Sequence, residues 1–283
     1  MFTLFMVDNL NDKERMNMSD LIEGYLGVTK DGGKSKLPAK LDWWQSATGL
    51  FLGLFMWGHM LLVSSILVSK DFMYTVTQML EGSFIFSDGG KPILVSIFAG
   101  FVFVIFIVHA LLAMRKLPEN YQQYKILKTH VNAIDHADTK LWFYQAFTGF
   151  VMFFLGSVHL YIIMTSADKI GPYASADRVV SDWMWPLYIL LLLAVEFHGS
   201  IGLYRLSVKW GWFDGKNPRE TRKRLKKAKW FVTVFFLALG FASLAAYIKI
   251  GIEHQDNYGE RYKPSSHVNY IIKTNTADKG GVS

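Results

Sequence analysis

Leu50-Phe51-Leu52-Gly53-Leu54-Phe55-Met56-Trp57-Gly58-His59-Met60-Leu61-Leu62-Val63-Ser64-Ser65-Ile66-Leu67-Val68 is a run of nineteen residues without Asp, Glu, Lys or Arg, and its reading decides the fold. A helix of this composition has no polar face to turn to water, so it does not suit a soluble bundle. About 20 such residues cross a hydrocarbon core. Phe98–Met114 is equally free of charge. Working outward, five segments qualify as spans: Trp43–Val68, Pro92–Met114, Leu141–Ser166, Trp183–Leu206 and Trp230–Ile250. The 283 residues, 51% of them hydrophobic, therefore read as an all-α membrane protein with five transmembrane helices. Residues 1–40 precede a membrane domain over 41–250, and 251–283 form a polar tail.

The quoted run belongs to a repeat. Trp44-Gln45-Ser46-Ala47-Thr48-Gly49 leads to His59, and Tyr144-Gln145-Ala146-Phe147-Thr148-Gly149 leads to His159, with Gln, Thr, Gly and His offset by 100 residues. His109 lies six residues before Arg115, and His198 seven before Arg205. The first four spans thus read as two parallel repeats. A rise of about 1.5 Å per residue puts His59 and His159 roughly 24–27 Å from the end where their helices begin. It puts His109 and His198 roughly 9–10 Å from that same end, because their helices run the other way. The histidines sort into two pairs at levels about 15 Å apart. An intramembrane histidine is costly unless something engages it. A hydrogen-bonded packing residue is the plain reading of any one of them, but four at matched depths point to two bound metals, with haem iron the natural candidate. Glycines supply room for such a group: Gly49, Gly53 and Gly58 before His59, and Gly149 and Gly156 before His159. Gly49 and Gly53 also fit an ordinary small-xxx-small helix contact.

Cysteine is absent, which removes iron–sulfur clusters, disulfides and covalently attached haem from this chain. Any haem is of the non-covalent b type. Two histidines per iron leave no open coordination site, so such an iron passes electrons and binds neither oxygen nor substrate.

Lys and Arg number six before the first span, five over 115–140 and ten over 205–229, against two in each of the first and third connections. Alternate connections are basic, so the N-terminus is expected in the cytoplasm and the C-terminus in the periplasm. The net charge of +7 then belongs to the cytoplasmic face. Arg219–Lys229 reads as a juxtamembrane anchor or a docking face for a cytoplasmic partner, and not as a nucleic-acid site. Met1–Val7 does not read as a signal peptide.

Two carboxylates stand out. Glu196, two residues before His198, is either hydrogen-bonded and protonated or part of a proton route. Glu81 lies in the first connection, where a solvated loop acid is the plain reading. Its apolar neighbours suggest a segment that dips into the interface, placed to accept a proton from a quinol arriving through the lipid. His130 and His136, in the second connection, and His254 and His267, in the tail, are expected to be solvated or partner-facing.

Several stretches carry a specific resemblance: Asp42-Trp43-Trp44-Gln45-Ser46-Ala47-Thr48-Gly49, Trp57-Gly58-His59-Met60, His109-Ala110-Leu111-Leu112-Ala113-Met114-Arg115-Lys116, Gly156-Ser157-Val158-His159-Leu160, Val195-Glu196-Phe197-His198-Gly199-Ser200 and Lys209-Trp210-Gly211-Trp212-Phe213. Over about Leu21 to Ile250 the chain closely resembles the dihaem cytochrome b subunit of menaquinol:fumarate reductases from epsilon-proteobacteria. The resemblance implies two haem b groups in a bacterial inner membrane, the distal one held by His59 and His159 and the proximal one by His109 and His198. It implies menaquinol oxidation at Glu81 and a proton path through Glu196. It implies that Gln45, Ser46, Trp142 and Lys209 face the proximal propionates and Arg178 the distal ones. Its partners would be an iron–sulfur subunit and an FAD-containing flavoprotein on the cytoplasmic side, with dimerisation of the heterotrimer left open. Residues 1–18 depart from the family pattern, with Met16 or Met18 as alternative starts, and the tail is longer.

On this reading menaquinol yields electrons near the periplasm, these pass to the cytoplasmic partners, and fumarate becomes succinate. Three rivals remain: a succinate:quinone reductase of the same architecture working in reverse, the cytochrome b of a membrane hydrogenase or formate dehydrogenase, and a secondary transporter. Parallel repeats with intramembrane ionisable residues also occur in transporters, but the glycine-bearing runs here contain no proline to break the helices.

Overall fold

The computed structural model describes residues 35–86, 89–118, 120–133 and 137–265. The expectations for residues 1–18, His136 and His267 lie outside the described residues. Among the described residues, five helices are long and apolar enough to cross a membrane. They are α1 (Leu37–Val63), α3 (Pro92–Met114), α5 (Ala137–Thr165), α7 (Trp185–Lys209) and α8 (Pro218–Glu253). Three shorter α-helices among the described residues lie in the connections: α2 (Lys70–Leu80), α4 (Tyr121–Ala133) and α6 (Pro172–Val180). His130 falls in α4.

Local chemistry sets the helix starts. Proline stands in the first turn of α1, α3, α6, α7 and α8, where no intrahelical N–H is missed. Ser69 caps α2 by accepting from the Phe72 N–H at 3.0 Å, and Asn217 caps α8 by accepting from Arg219 at 3.1 Å. α8 therefore begins twelve residues before the expected Trp230, and the basic run Arg219–Lys229 is its first three turns. Hydrophobicity marks where a helix meets lipid, whereas the backbone ladder continues until a cap stops it. The end of the first expected span differs in the other sense. α1 gives way at Ser64 to a 3₁₀ turn, Ser64–Leu67, whose two serines bond back to Met60 and Leu62.

α1 packs on α3, α3 on α5, α5 on α7 and α7 on α1, closing a four-helix ring. α8 lies outside the ring against α7, α6 and α1. From Lys229 onward its buried residues, Lys229, Thr233, Phe236, Gly240, Ser243, Tyr247 and Gly251, recur every three or four positions along one stripe. A Cβ at Gly240 would fall 2.6 Å from Leu192, so that glycine permits the close α7–α8 approach. Ser243 donates to Ser64 at 2.9 Å and ties α8 to the end of α1. The ring has a basic end, carrying Arg115, Lys116 and Lys209, and a far end, carrying α2, α6 and the tail.

Candidate functional site

The four histidines of the spans meet across the diagonals of the ring. His59 on α1 faces His159 on α5 with ring centroids 6.1 Å apart, and His109 on α3 faces His198 on α7 at 6.4 Å. A metal–imidazole bond is about 2.0 Å and a ring nitrogen lies roughly 1.1 Å from its centroid, so two imidazoles flanking one metal have centroids roughly 6 Å apart. Both pairs stand at that separation. All four rings line one cavity of about 1350 Å³ that runs from Lys209 at the basic end to Thr77 at the far end. It exceeds the roughly 300–1,000 Å³ of an ordinary ligand pocket.

The recurrent Gln-x-x-Thr-Gly motif packs against the histidine of the following span. A Cβ at Gly49 would lie 2.8 Å from His109 Cε1, and one at Gly149 would lie 2.7 Å from His198 Cε1. These two glycines seat the imidazole of the next span. Gly53 abuts Leu203, Gly156 abuts Phe106, and Gly58 faces open space. The contacts also fix the levels. Gly49 and Gly149 each precede the histidine of their own helix by ten residues, so the two pairs lie about 15 Å apart along the bundle.

The motif also sets ring tautomers. His198 Nδ1 lies 2.9 Å from the Gln145 carbonyl oxygen, which only accepts, so Nδ1 carries the proton and Nε2 keeps its lone pair. Thr48 donates its hydroxyl to the Trp44 carbonyl at 2.8 Å and lies 3.1 Å from His109 Nδ1, which fixes His109 the same way. A ring oriented through Nδ1 with Nε2 free is the arrangement a metal-ligating histidine needs. His159 Nδ1 is buried with no protein partner among the described residues.

The basic end is polar and cationic. Gln45, Ser46, Trp142 and Lys209 all line the cavity there. Gln45 Oε1 is buried without a protein partner among the described residues, and Lys209 Nζ lies 3.3 Å from Ser46 Oγ. Asp42 gathers Arg115 at 2.6 Å, Lys116 at 2.9 Å and Lys209 at 3.5 Å. Arg205 donates to the Gln145 side chain. Sequence reading used Arg115 and Arg205 only as boundary markers; their recurrence six or seven residues after a histidine was the available signal. At the far end Arg178 is buried, lines the cavity and donates to the Lys169 carbonyl at 2.6 Å. The Tyr188 ring, which sequence reading missed, lies 5.6 Å from that of His159.

Glu81 is no solvated loop acid. It ends α2 and is 5% exposed. Gly82 follows at φ +78°, a left-handed turn that brings the chain back so that Lys91 N–H donates to the Glu81 carbonyl at 2.7 Å. Gln78 Nε2 donates to Glu81 Oε2 at 2.9 Å. Burial raises the carboxyl above its ordinary pKa, while the Gln78 bond and the charge of Arg261 pull it down. Its neighbours Leu80 and Gly82 line the cavity on the side of the His59–His159 pair. Glu196, two residues before His198, is fully buried, and neither oxygen has a protein hydrogen-bond partner among the described residues. His254 is a correction. Expected to be solvated or partner-facing, it is 6% exposed, bonded through Nδ1 to Asp177 at 2.9 Å and stacked on Tyr173 at 4.1 Å.

Residues 120–240 match the family described as the succinate dehydrogenase/fumarate reductase transmembrane subunit. The chain is 59% identical to the fumarate reductase cytochrome b subunit of Wolinella succinogenes over 241 residues, 85% of this chain and 94% of that relative. The chain belongs to the fumarate reductase cytochrome b subunits. The subunit of the same name from Helicobacter pylori strain J99 is 53% identical over 242 residues, 86% of this chain and 93% of the relative. A succinate dehydrogenase hydrophobic membrane anchor subunit from Archaeoglobus fulgidus is 40% identical over 63 residues, 22% of this chain and 54% of that one. As a fumarate reductase cytochrome b subunit, the protein is a multi-pass anchor in the bacterial inner membrane and part of an enzyme complex with catalytic partner subunits.

Proposed function

We propose that this subunit oxidises menaquinol at the far end, beside Glu81, and delivers the electrons at the basic end to an iron–sulfur subunit, which feeds an FAD flavoprotein that reduces fumarate. His59 with His159 and His109 with His198 would each hold one haem b. When bound, each bis-histidine haem supplies a one-electron relay without an open coordination site. The observation that carries the reading is the pair of facing imidazole pairs about 15 Å apart, with Nδ1 of His109 and of His198 already engaged.

The chain's own residues do the rest. Gln45, Ser46, Trp142 and Lys209 would meet the propionates at the basic end and Arg178 those at the far end. Glu81 accepts a proton from the quinol as its two electrons leave, and the second proton also departs on that side. Glu196, buried between the two levels, would carry protons inward and offset the potential that inward electron flow creates. The abundance of Lys and Arg at the basic end supports a cytoplasmic position for it, where Arg219–Lys229 would offer a docking face.

A reduced-minus-oxidised spectrum and a haem count on the purified complex test this. Two b-type haems per subunit are expected, falling to one when His198 or His59 is replaced by Ala. A colourless subunit would favour a transporter, and retention of both haems after replacement of any of the four histidines would refute the ligand set.

A further inference from the structure

The tail after α8 returns over the far end and bonds to the elements that hold Glu81. Its root is His254, buried against Asp177 of α6. Asp177 also accepts from Gly259 N–H at 3.0 Å, and Tyr258 donates to Asp182 at 3.0 Å. From there the tail reaches α2. Tyr262 donates its hydroxyl to Asp71 Oδ1 at 2.8 Å, and Ser265 N–H donates to the same oxygen at 3.0 Å. These bonds hold the Asp71 carboxyl below its ordinary pKa. The Tyr262 ring lies 5.1 Å from that of Tyr173 and 6.1 Å from that of Tyr74.

Asp71, Tyr74, Gln78 and Glu81 follow one another at spacings of three, four and three, so they form one stripe of α2. The tail occupies the first two, and the last two bond to each other. With eleven residues, α2 is too short to be a stable helix alone. Its other packing is on the Ser64–Leu67 turn, α1 and α6. A helix so placed depends on whatever is tied to this stripe.

We infer that residues 258–265 are a strap that positions Glu81 by clamping α2, with Tyr262 as the positioning residue. The inference rests on the reading of Glu81 as the proton acceptor. The strap also carries Arg261, paired with Asp168 at 3.6 Å, whose charge bears on the Glu81 carboxyl.

The test compares Tyr262→Phe, a chain stopped after Tyr258, a chain stopped after Ser265 and Glu81→Gln, each in the intact complex. It reads kcat and KM for a menaquinol analogue, fumarate reduction driven by a reduced dye that bypasses this subunit, and amide exchange across residues 70–81. Loss of the Tyr262 bond should raise the KM and speed α2 exchange by about three- to tenfold, with dye-driven turnover unchanged. The chain stopped after Tyr258 should show at least as much, and the one stopped after Ser265 should match the parent. In a double-mutant cycle, Asp71→Asn should add little to Tyr262→Phe. Parental KM and α2 exchange in Tyr262→Phe, beside an inactive Glu81→Gln, would overturn the strap and leave the Glu81 reading intact. An active Glu81→Gln would instead refute that reading, while α2 exchange would still decide whether the tail clamps the helix.

Discussion

Adding one methyl group at Gly149 should empty one redox site and spare the other. The new Cβ would stand 2.7 Å from His198 Cε1 and 2.9 Å from Nδ1. Ordinary contact begins at 3.4 Å, so the ring must retreat by at least 0.7 Å. Metal–ligand distances tolerate only about 0.2 Å. The retreat also pulls Nδ1 from the Gln145 carbonyl, now 2.9 Å away. Losing such an orienting partner typically weakens a metal by about 10–100-fold, and overpacking adds about 1–3 kcal/mol of strain. His159, ten residues further along α5, feels none of this. The haem count in Gly149→Ala should therefore fall from two toward one, with the surviving spectrum that of the His59–His159 site. Gly58→Ala is the control, since its Cβ would meet nothing within 4 Å. Two haems in unaltered spectral form in Gly149→Ala would refute the idea that the Thr-Gly motif seats a ligand.

Other outcomes follow from the same geometry. Glu81→Gln should lower quinol-driven turnover by about 10²–10⁴-fold, the usual weight of a general base, with both haems in place; loss of haem would mark Glu81 as structural. Because burial raises the Glu81 pKa, its ionised fraction falls as pH drops through a range above that of an ordinary glutamate. The acid limb of quinol oxidation should lie there and vanish in the variant, as a stopped-flow pH series would show. Glu196→Gln should slow quinol-driven fumarate reduction while dye-driven reduction persists; full activity would place the proton path elsewhere. Gly251→Ala should destabilise the far end by about 1–3 kcal/mol, because its Cβ would fall 2.7 Å from the Ala176 carbonyl oxygen and 2.5 Å from Val180. A detergent-solubilised melting curve equal to that of the parent would contradict it.

How far the sequence could be read depended on what set each residue's environment. The four histidines were legible because a polar ring in an uncharged run has a cost that composition alone reveals, and their depths followed from helix rise. What the rings touch was not legible. Thr48, Gly49 and Gln145 were visible as a recurring motif, but the neighbour they seat depends on which helix packs opposite. α2 was missed because its eleven residues sit in a connection read by its flanking charges, although Ser69 and Asp71 form a helix start. His254 was misread because Glu253, Gln255 and Asp256 around it are polar, while its burial comes from α6 and from the returning tail. Local pattern fixes which face of an element is apolar, and tertiary contact alone decides the fate of a residue at a helix end.

The two copies of the motif divide the work in a way that makes neither self-sufficient. Within the first copy, Gly49 and Thr48 of α1 seat His109 of α3; within the second, Gly149 and Gln145 of α5 seat His198 of α7. Each copy thus prepares its own ring, but each pair takes one ring from each copy, His59 with His159 and His109 with His198. The diagonals of the ring do this: neighbouring helices supply the seat, and opposite helices supply the partner. A half bundle of α1 and α3 would present two imidazoles about 15 Å apart along the axis and complete neither site. Binding a group between opposite helices therefore draws the two halves together at two levels, so the cofactors would stabilise the bundle as well as serve it.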